Sequence, residues 1–145
     1  MANIATSYSN IRKGAWKNVR ASLLSNITGV GTRVYGAYPK SNVTLPLIVI
    51  ENPIKGTDEE TKTLEYDNMR SVLINISIYT KQAEQLDSIL DEIEAQIESD
   101  RTIYASYGLN MTDDILTDVD DGVFMDLQKQ RSHVKTSSVT FEVDR

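Results

Sequence analysis

The sequence predicts an α+β fold: a small, mostly antiparallel sheet with two amphipathic helices packed on one face. The first observation is a period-2 segment in which Val72, Ile74, Ile76 and Ile78 alternate with polar residues, as in a half-buried strand. The second is an immediate switch to helical spacing after residue 80. The third is that other strand-like segments stand before and after this pair, which favours α+β over a regular α/β alternation.

The first helix is predicted over residues 9–26. Ser7 or Ser9 can cap its start, and Gly29 and Gly31 stand where a helix should stop. Because Trp16 lies on the apolar stripe, we interpret it as a core residue rather than a ring that stacks on a ligand. The stripe with 3.6-residue periodicity consists of Ile11, Ala15, Trp16, Val19, Leu23, Leu24 and Ile27.

Two strands are predicted between this helix and the period-2 segment. Val34 and Tyr35 indicate a short one, and a nearly continuous aliphatic run over 45–50 indicates one covered on both faces. Pro46 has no N–H to donate, so it is expected among the first residues of that second strand.

Residues 53–67 are predicted to form a projecting loop or hairpin arm. The segment lacks sustained periodicity and exceeds the length of a usual hairpin loop, and such excursions are often functional or flexible. An ordinary solvated loop is the alternative. Its charged residues include Asp58, Glu59, Glu60 and Lys62.

The second helix is predicted over 81–97, directly after the period-2 strand. Its apolar stripe is expected to pack on the apolar side of that strand. The stripe consists of Leu86, Ile89, Leu90, Ile93 and Ile97. The opposite, acidic face carries Asp87, Asp91, Glu92, Glu94 and Glu98.

After this helix, residues 99–108 are predicted to be a connection. Tyr104 and Tyr107 in it are expected to pack back on the sheet. A short strand or helical turn is predicted around 114–119.

The C-terminal part is predicted to end the sheet. Asp120, Asp121 and Gly122 are assigned to a turn. Val139, Phe141 and Val143 alternate with polar residues in a closing strand, with Val134 a less certain member. The pattern over 124–130 is ambiguous, and we favour a strand that pairs with the closing one.

Composition narrows the class of protein. The 145 residues are 40% hydrophobic and 25% charged without low-complexity tracts, which indicates one globular domain. The net charge of −6 disfavours a protein that wraps DNA through Lys and Arg. The absence of cysteine excludes disulfides and thiolate chemistry, and no apolar run approaches the roughly 20 residues of a membrane span. No signal-peptide pattern opens the sequence, so we expect a chain made and kept in a cytoplasm.

One acidic cluster resembles a cation site in composition only. An EF-hand needs acids at the first, third and fifth positions, Gly at the sixth and Glu at the twelfth, and no starting point in the cluster satisfies this. We therefore interpret it as solvated acids in a turn and predict no metal ligands. The cluster consists of Asp113, Asp114, Asp118, Asp120 and Asp121.

His133 is the only histidine, so a His-based metal site or catalytic triad lacks a second imidazole. We interpret it as a surface residue. Phosphate-binding loops, nucleophile elbows and zinc-type spacings are also missing. The sequence therefore favours a protein that is not an enzyme and has no cofactor; a metal-dependent enzyme using the acids of 113–121 is a lesser alternative.

The order of elements resembles the tail terminator, or tail-completion, proteins of tailed bacteriophages. The resemblance rests on a first amphipathic helix, the run LPLIVIENP, the strand VLINISIYT followed at once by the helix KQAEQLDSILDEIEAQI, and the closing strand SVTFEV. It covers most of the chain in element order.

The resemblance implies a structural virion protein at the head-proximal end of the tail. It would form a homo-oligomeric ring, usually a hexamer, that caps the tail tube and joins it to the head–tail connector proteins. DNA would pass through without specific binding, which suits an acidic chain because carboxylates repel phosphate.

By the same resemblance, the polar side of the central strand is a candidate lumen surface, with Ser71, Asn75 and Ser77. The 53–67 arm would reach a neighbouring subunit or the tube, with Asp58, Glu59, Glu60 and Lys62 as candidate contacts. Another ring-forming phage component, such as a tube or connector protein, is the alternative; a tube protein would polymerise by itself into long cylinders.

Overall fold

A computed structural model of the chain describes residues 8–51, 54–56, 71–106, 108–111, 117–125 and 129–143. The elements confirm the α+β class, with a largely antiparallel sheet. In chain order they are α1 (Tyr8–Leu23), β1 (Val34–Tyr35), β2 (Leu47–Ile50), β3 (Ile54–Gly56), β4 (Ser71–Thr80), α2 (Ala83–Ser99), α3 (Arg101–Ser106), β5 (Leu109–Met111), β6 (Thr117–Met125) and β7 (Arg131–Val143).

The long strands β4 and β7 form the centre of the sheet. They pair antiparallel from Ser71 opposite Glu142 to Thr80 opposite His133. On one side β4 pairs antiparallel with β2 and β3, and β1 pairs parallel with β2. On the other side β7 pairs antiparallel with both β5 and β6. Three further strands thus extend one side of the long central ribbon, and two extend the other.

The main core lies between this sheet and the helices. The predicted apolar side of β4 is completely buried there, at Val72, Ile74, Ile76 and Ile78. The predicted stripe of α2 is confirmed as its partner, although Leu90 is only partly buried. Burial of these two apolar faces against each other is the main favourable free energy of this packing. The buried residues of the α2 stripe are Leu86, Ile89, Ile93 and Ile97.

Helix α1 is confirmed, and it ends at Leu23 rather than near residue 26. Gly29 and Gly31, expected to stop it, adopt positive φ angles of 83° and 57° in the following turn. Trp16 packs against the core as predicted, and its Nε1 donates a hydrogen bond to the Ile50 carbonyl at 2.9 Å. The Trp16 side chain thus ties α1 to the end of β2.

Strand β2 is buried on both faces along its whole length, as its continuous aliphatic run predicts. Pro46 directly precedes it. At the edge of the sheet, Arg20 Nε donates to the Val34 carbonyl at 3.2 Å. The Arg20 side chain of α1 therefore provides a hydrogen-bond donor for a backbone carbonyl of the edge strand β1.

The start of the predicted arm belongs to the sheet. Residues Ile54–Gly56 form β3, which pairs with Leu73, Val72 and Ser71 of β4. The remainder of the arm lies outside the described residues.

A short helix, α3, stands where the sequence predicts only a connection. Six residues are too few to show a helical period, which explains the omission. Tyr104 of α3 is fully buried and packs on Phe141 with ring centroids 5.0 Å apart, so the expectation that it packs on the sheet is confirmed. Tyr107 lies outside the described residues.

The turn predicted at Asp120, Asp121 and Gly122 is wrong. These residues lie inside β6 and pair with Thr136, Lys135 and Val134 of β7. The register shifts between Asp118 and Asp120, so β6 contains an irregularity near its acids. Asp favours turns locally, but the ladder to β7 overrides that preference, and charged residues are common on edge strands.

The closing strand is longer than predicted. It runs over Arg131–Val143 instead of 138–143 and so includes Val134. Of the ambiguous segment 124–130, Phe124 and Met125 pair with the closing strand as favoured, whereas Lys129 and Gln130 are not in a strand.

Candidate functional site: the second face of the sheet

The face of the sheet opposite the helices carries the candidate site residues. Side chains of a strand alternate between faces, so the odd-numbered residues of β4 lie on this second face together with their even-numbered neighbours in β7. Of the three predicted lumen residues, Asn75 and Ser77 are described with their side chains, and Ser71 holds the corresponding register position opposite Glu142.

The centre of the second face is polar and hydrogen-bonded. The hydroxyl groups of Ser77 and Thr136 lie 2.9 Å apart on neighbouring strands and form a hydrogen bond. Ser77 is only 3% exposed, whereas Asn75 is half-buried. Within a single chain, Asn75 therefore offers more of its surface to a neighbour or a channel than Ser77 does.

One end of the second face is apolar and aromatic. Tyr38, Tyr79 and Phe124 pack mutually, with ring centroids 4.9 to 5.4 Å apart in tilted or edge-to-face orientations. Beside them, Leu47 and Val49 of β2 are buried in a second small core. The rings join a loop, β4 and β6, so this end of the second face is closed by side chains of the same chain.

Sequence reasoning did not find this aromatic cluster. Tyr38 lies in a turn-rich segment, and Phe124 lies in a segment of ambiguous pattern. The one usable signal was the continuous aliphatic run of β2, which requires a cover on both of its faces.

The cluster changes the chemistry of Tyr79. Burial, and secondarily the carboxylate of Glu51, raise the pKa of its phenol above the ordinary value. Tyr79 therefore keeps its phenol proton to a higher pH than a solvated tyrosine does.

His133 lies at the start of β7, half-buried, opposite Thr80 and Val123. It is one of the residues around a shallow depression at this end of the sheet, together with Lys81, Val123, Arg131 and Ser132. None of these described neighbours supplies the carboxylate or second imidazole that a metal site needs.

The structure describes only part of the acidic cluster. Asp118, Asp120 and Asp121 lie on β6, and Asp113 and Asp114 lie outside the described residues. Within the described ranges, no group of three or more His, Asp or Glu residues converges as a metal site would require. The predicted arm contacts Asp58, Glu59, Glu60 and Lys62 also lie outside those ranges.

No helix in the described part of the chain is both long and apolar enough to cross a membrane. No protein-family model matches this sequence, and no curated protein sequence matches it.

Proposed function

We propose that this chain is a structural virion protein of a tailed bacteriophage, a tail terminator. It forms a homo-oligomeric ring, a hexamer in the simplest case, that caps the tail tube at its head-proximal end. The upper surface of the ring receives the head–tail connector proteins.

The observation that carries the proposal is the one-sided arrangement of helices on the sheet. Helices α1 and α2 contact β4 on one face, and no described helix packs on the second face. On one side of the sheet the nine-residue strand β6 pairs with β7 through one edge, and no described strand pairs with its other edge. A free strand edge is a site for association, and a ring closes such contacts between subunits.

The order of elements supports the same proposal. The segments on which the resemblance rests fall on α1, β2, β4, α2 and the second half of β7. The resemblance thus extends over elements that build the central ribbon and its helical cover.

The charge of the chain fits a channel for DNA. A net charge of −6 repels phosphate, and the described residues at the centre of the second face include no Lys or Arg to hold it. In this proposal DNA slides past Asn75 and its neighbours without binding, and the chain needs no cofactor.

Electron microscopy of purified chain with and without tube protein tests the proposal. A terminator should form single rings and should seat on tube ends, and tubes grown in its presence should stop at a uniform capped end. Long cylinders of the chain alone would identify a tube protein instead. A chain that leaves tube ends bare and tube growth unchanged would overturn the terminator role.

A further inference from the structure

A basic and apolar surface lies at the end of the sheet where β6 and β7 begin their pairing. Val123 and Met125 of β6 are 56% and 57% exposed, and they pair with His133 and Arg131 of β7. Lys81 lies beside them around the same shallow depression. We call this the basic patch: Lys81, Val123, Met125, Arg131 and His133.

The basic patch is unusual in so acidic a chain. Lys81 and Arg131 are exposed, and neither forms an ion pair with another described residue. By contrast, Lys135, two residues further along β7 than His133, is paired with Asp87 of α2 at 3.2 Å. Two cations without an ion-pair partner among the described residues, beside two exposed apolar side chains, make a surface suited to an acidic partner that also presents an apolar group.

The same chain presents a surface of that kind. Asp91, Glu94 and Glu98 are exposed along the C-terminal half of α2, and the short helix α3 that follows carries Ile103, which is 48% exposed. Glu98 is engaged by Arg101, whereas Asp91 and Glu94 have no ion-pair partner among the described residues. We call this the acidic surface: Asp91, Glu94, Glu98 and Ile103.

The apolar residues strengthen the match between the two surfaces. In the described part of the chain, the large apolar side chains with high exposure are Ile103, Val123 and Met125. One of them lies on the acidic surface, and the other two lie on the basic patch. Both charge and apolar character are therefore complementary.

The end of the acidic surface that carries Ile103 cannot reach the basic patch of the same chain. The basic patch surrounds His133, whereas α3 packs at the other end of β7, where its Tyr104 contacts Phe141. Eight residues of extended strand separate His133 from Phe141, or about 26 Å at about 3.3 Å per residue. Within an assembly of this chain, only a second copy can bring Ile103 against the basic patch.

We propose that the basic patch of one copy binds the acidic surface of the next copy. This contact joins different surfaces of identical chains, so its repetition produces a ring if the rotation closes and a filament if it does not. The proposal rests on the ring-forming role proposed above and names the surfaces that build the ring.

Two charge reversals test the contact: Arg131→Glu on the basic patch and Glu94→Arg on the acidic surface. Each variant alone should raise the dissociation constant of self-association about tenfold or more, because an attraction becomes a repulsion. An equimolar mixture of the two should regain assembly, since every junction in an alternating array then joins opposite charges. The double variant should also assemble. Sedimentation at low salt, with and without tube protein, measures these changes.

Lys17→Glu is the matched control for Arg131→Glu, because it changes the net charge equally at an exposed position on α1. It should assemble like the wild type, and circular dichroism should show that every variant is folded. The mixture separates a lost contact from misfolding, because a misfolded variant would not regain assembly on mixing.

Two results would overturn the contact: a wild type that stays monomeric under both conditions, or single reversals that assemble as the wild type does. If the wild type forms rings and the reversals leave them unchanged, the ring stands and these surfaces are wrong. If the reversals act as expected and tube ends stay bare, the contact stands and the terminator role is wrong.

Discussion

The buried side chain of Tyr104 connects three separate parts of the chain through its hydroxyl group and its ring. The Tyr104 hydroxyl of α3 lies 2.5 Å from the Ser22 hydroxyl of α1, and the Tyr104 ring packs on Phe141 of β7. Both residues are buried, so neither hydroxyl can exchange its partner for bulk water. A buried polar group left without a partner costs more than the net gain from the bond itself.

Tyr104→Phe should therefore lower the free energy of unfolding by about 1–3 kcal/mol, because it leaves the Ser22 hydroxyl unpaired while keeping the ring packing. Ser22→Ala should have an effect of similar size for the reciprocal reason. The double variant should lose less than the sum of the two, and urea unfolding of all four proteins gives this coupling. Strictly additive losses would show that the two hydroxyl groups do not depend on each other.

The same burial makes stability sensitive to alkaline pH. Desolvation raises the pKa of Tyr104 well above its ordinary value; the hydrogen bond with Ser22 partly offsets this, and Asp100 adds to it. The folded chain thus keeps the phenol proton at pH values where the unfolded chain releases it. The contribution of this group is complete below the unfolded pKa of about 10 and is lost as pH rises above that value.

Urea unfolding on both sides of pH 10 should show this loss in the wild type. Tyr79 has a pKa raised in the same direction and contributes to it. Tyr104→Phe should lose less stability than the wild type over the same interval, because it has one buried phenol fewer. An equal loss in both proteins would contradict the assignment to Tyr104.

At the scale of elements, the contribution of each stripe residue of α2 to the free energy of unfolding depends on how completely its side chain is buried. Ile93 is fully buried, whereas Leu90, three residues earlier, is only partly so. Removing buried methyl groups costs the lost transfer free energy and leaves a cavity as well, whereas a half-exposed site loses less of both.

Ile93→Ala should lower the free energy of unfolding by about 2–5 kcal/mol. Leu90→Ala serves as the control on the same helix and should cost clearly less. Chemical denaturation with circular dichroism detection measures both. Equal losses would mean that the stripe of α2 is not packed on β4 in the way the fold requires.

Strand β6 shows how an element can contradict the local preference of its residues. Asp120, Asp121 and Gly122 are typical turn residues, and no pattern of nearby side chains marks them as a strand. They form part of a strand because β7 extends far enough to pair with them.

At the scale of the whole molecule, the proposed channel requires the second face to stay free of positive charge. In a ring whose lumen contains Asn75, Asn75→Lys would place a ring of cations beside the passing DNA, and these would bind phosphate. Particles with this variant should assemble normally and release their DNA more slowly.

Asn75→Asp is the control, since it places a charge of the opposite sign at the same position. It should leave DNA release close to that of the wild type. Counts of tailed particles by microscopy and rates of DNA release from purified phage distinguish assembly from passage. Unchanged release with Asn75→Lys would place Asn75 away from the channel.

The sequence by itself was sufficient for the elements whose side chains face one continuous core. The period-2 pattern of β4, the stripes of α1 and α2, and the aliphatic run of β2 each report burial directly, because the burial period equals the period of the element. The same period also separated the polar side of β4, which carries Asn75 and Ser77, from its apolar side.

Only the tertiary structure decided the features that depend on partners distant in the chain. The acids of β6 form a strand because β7 pairs with them, and the cluster of Tyr38, Tyr79 and Phe124 closes an end of the second face from three separate segments. The basic patch likewise brings Lys81 beside Arg131. Pairing register and long-range packing have no local period, so no stretch of the sequence carries a signal for them.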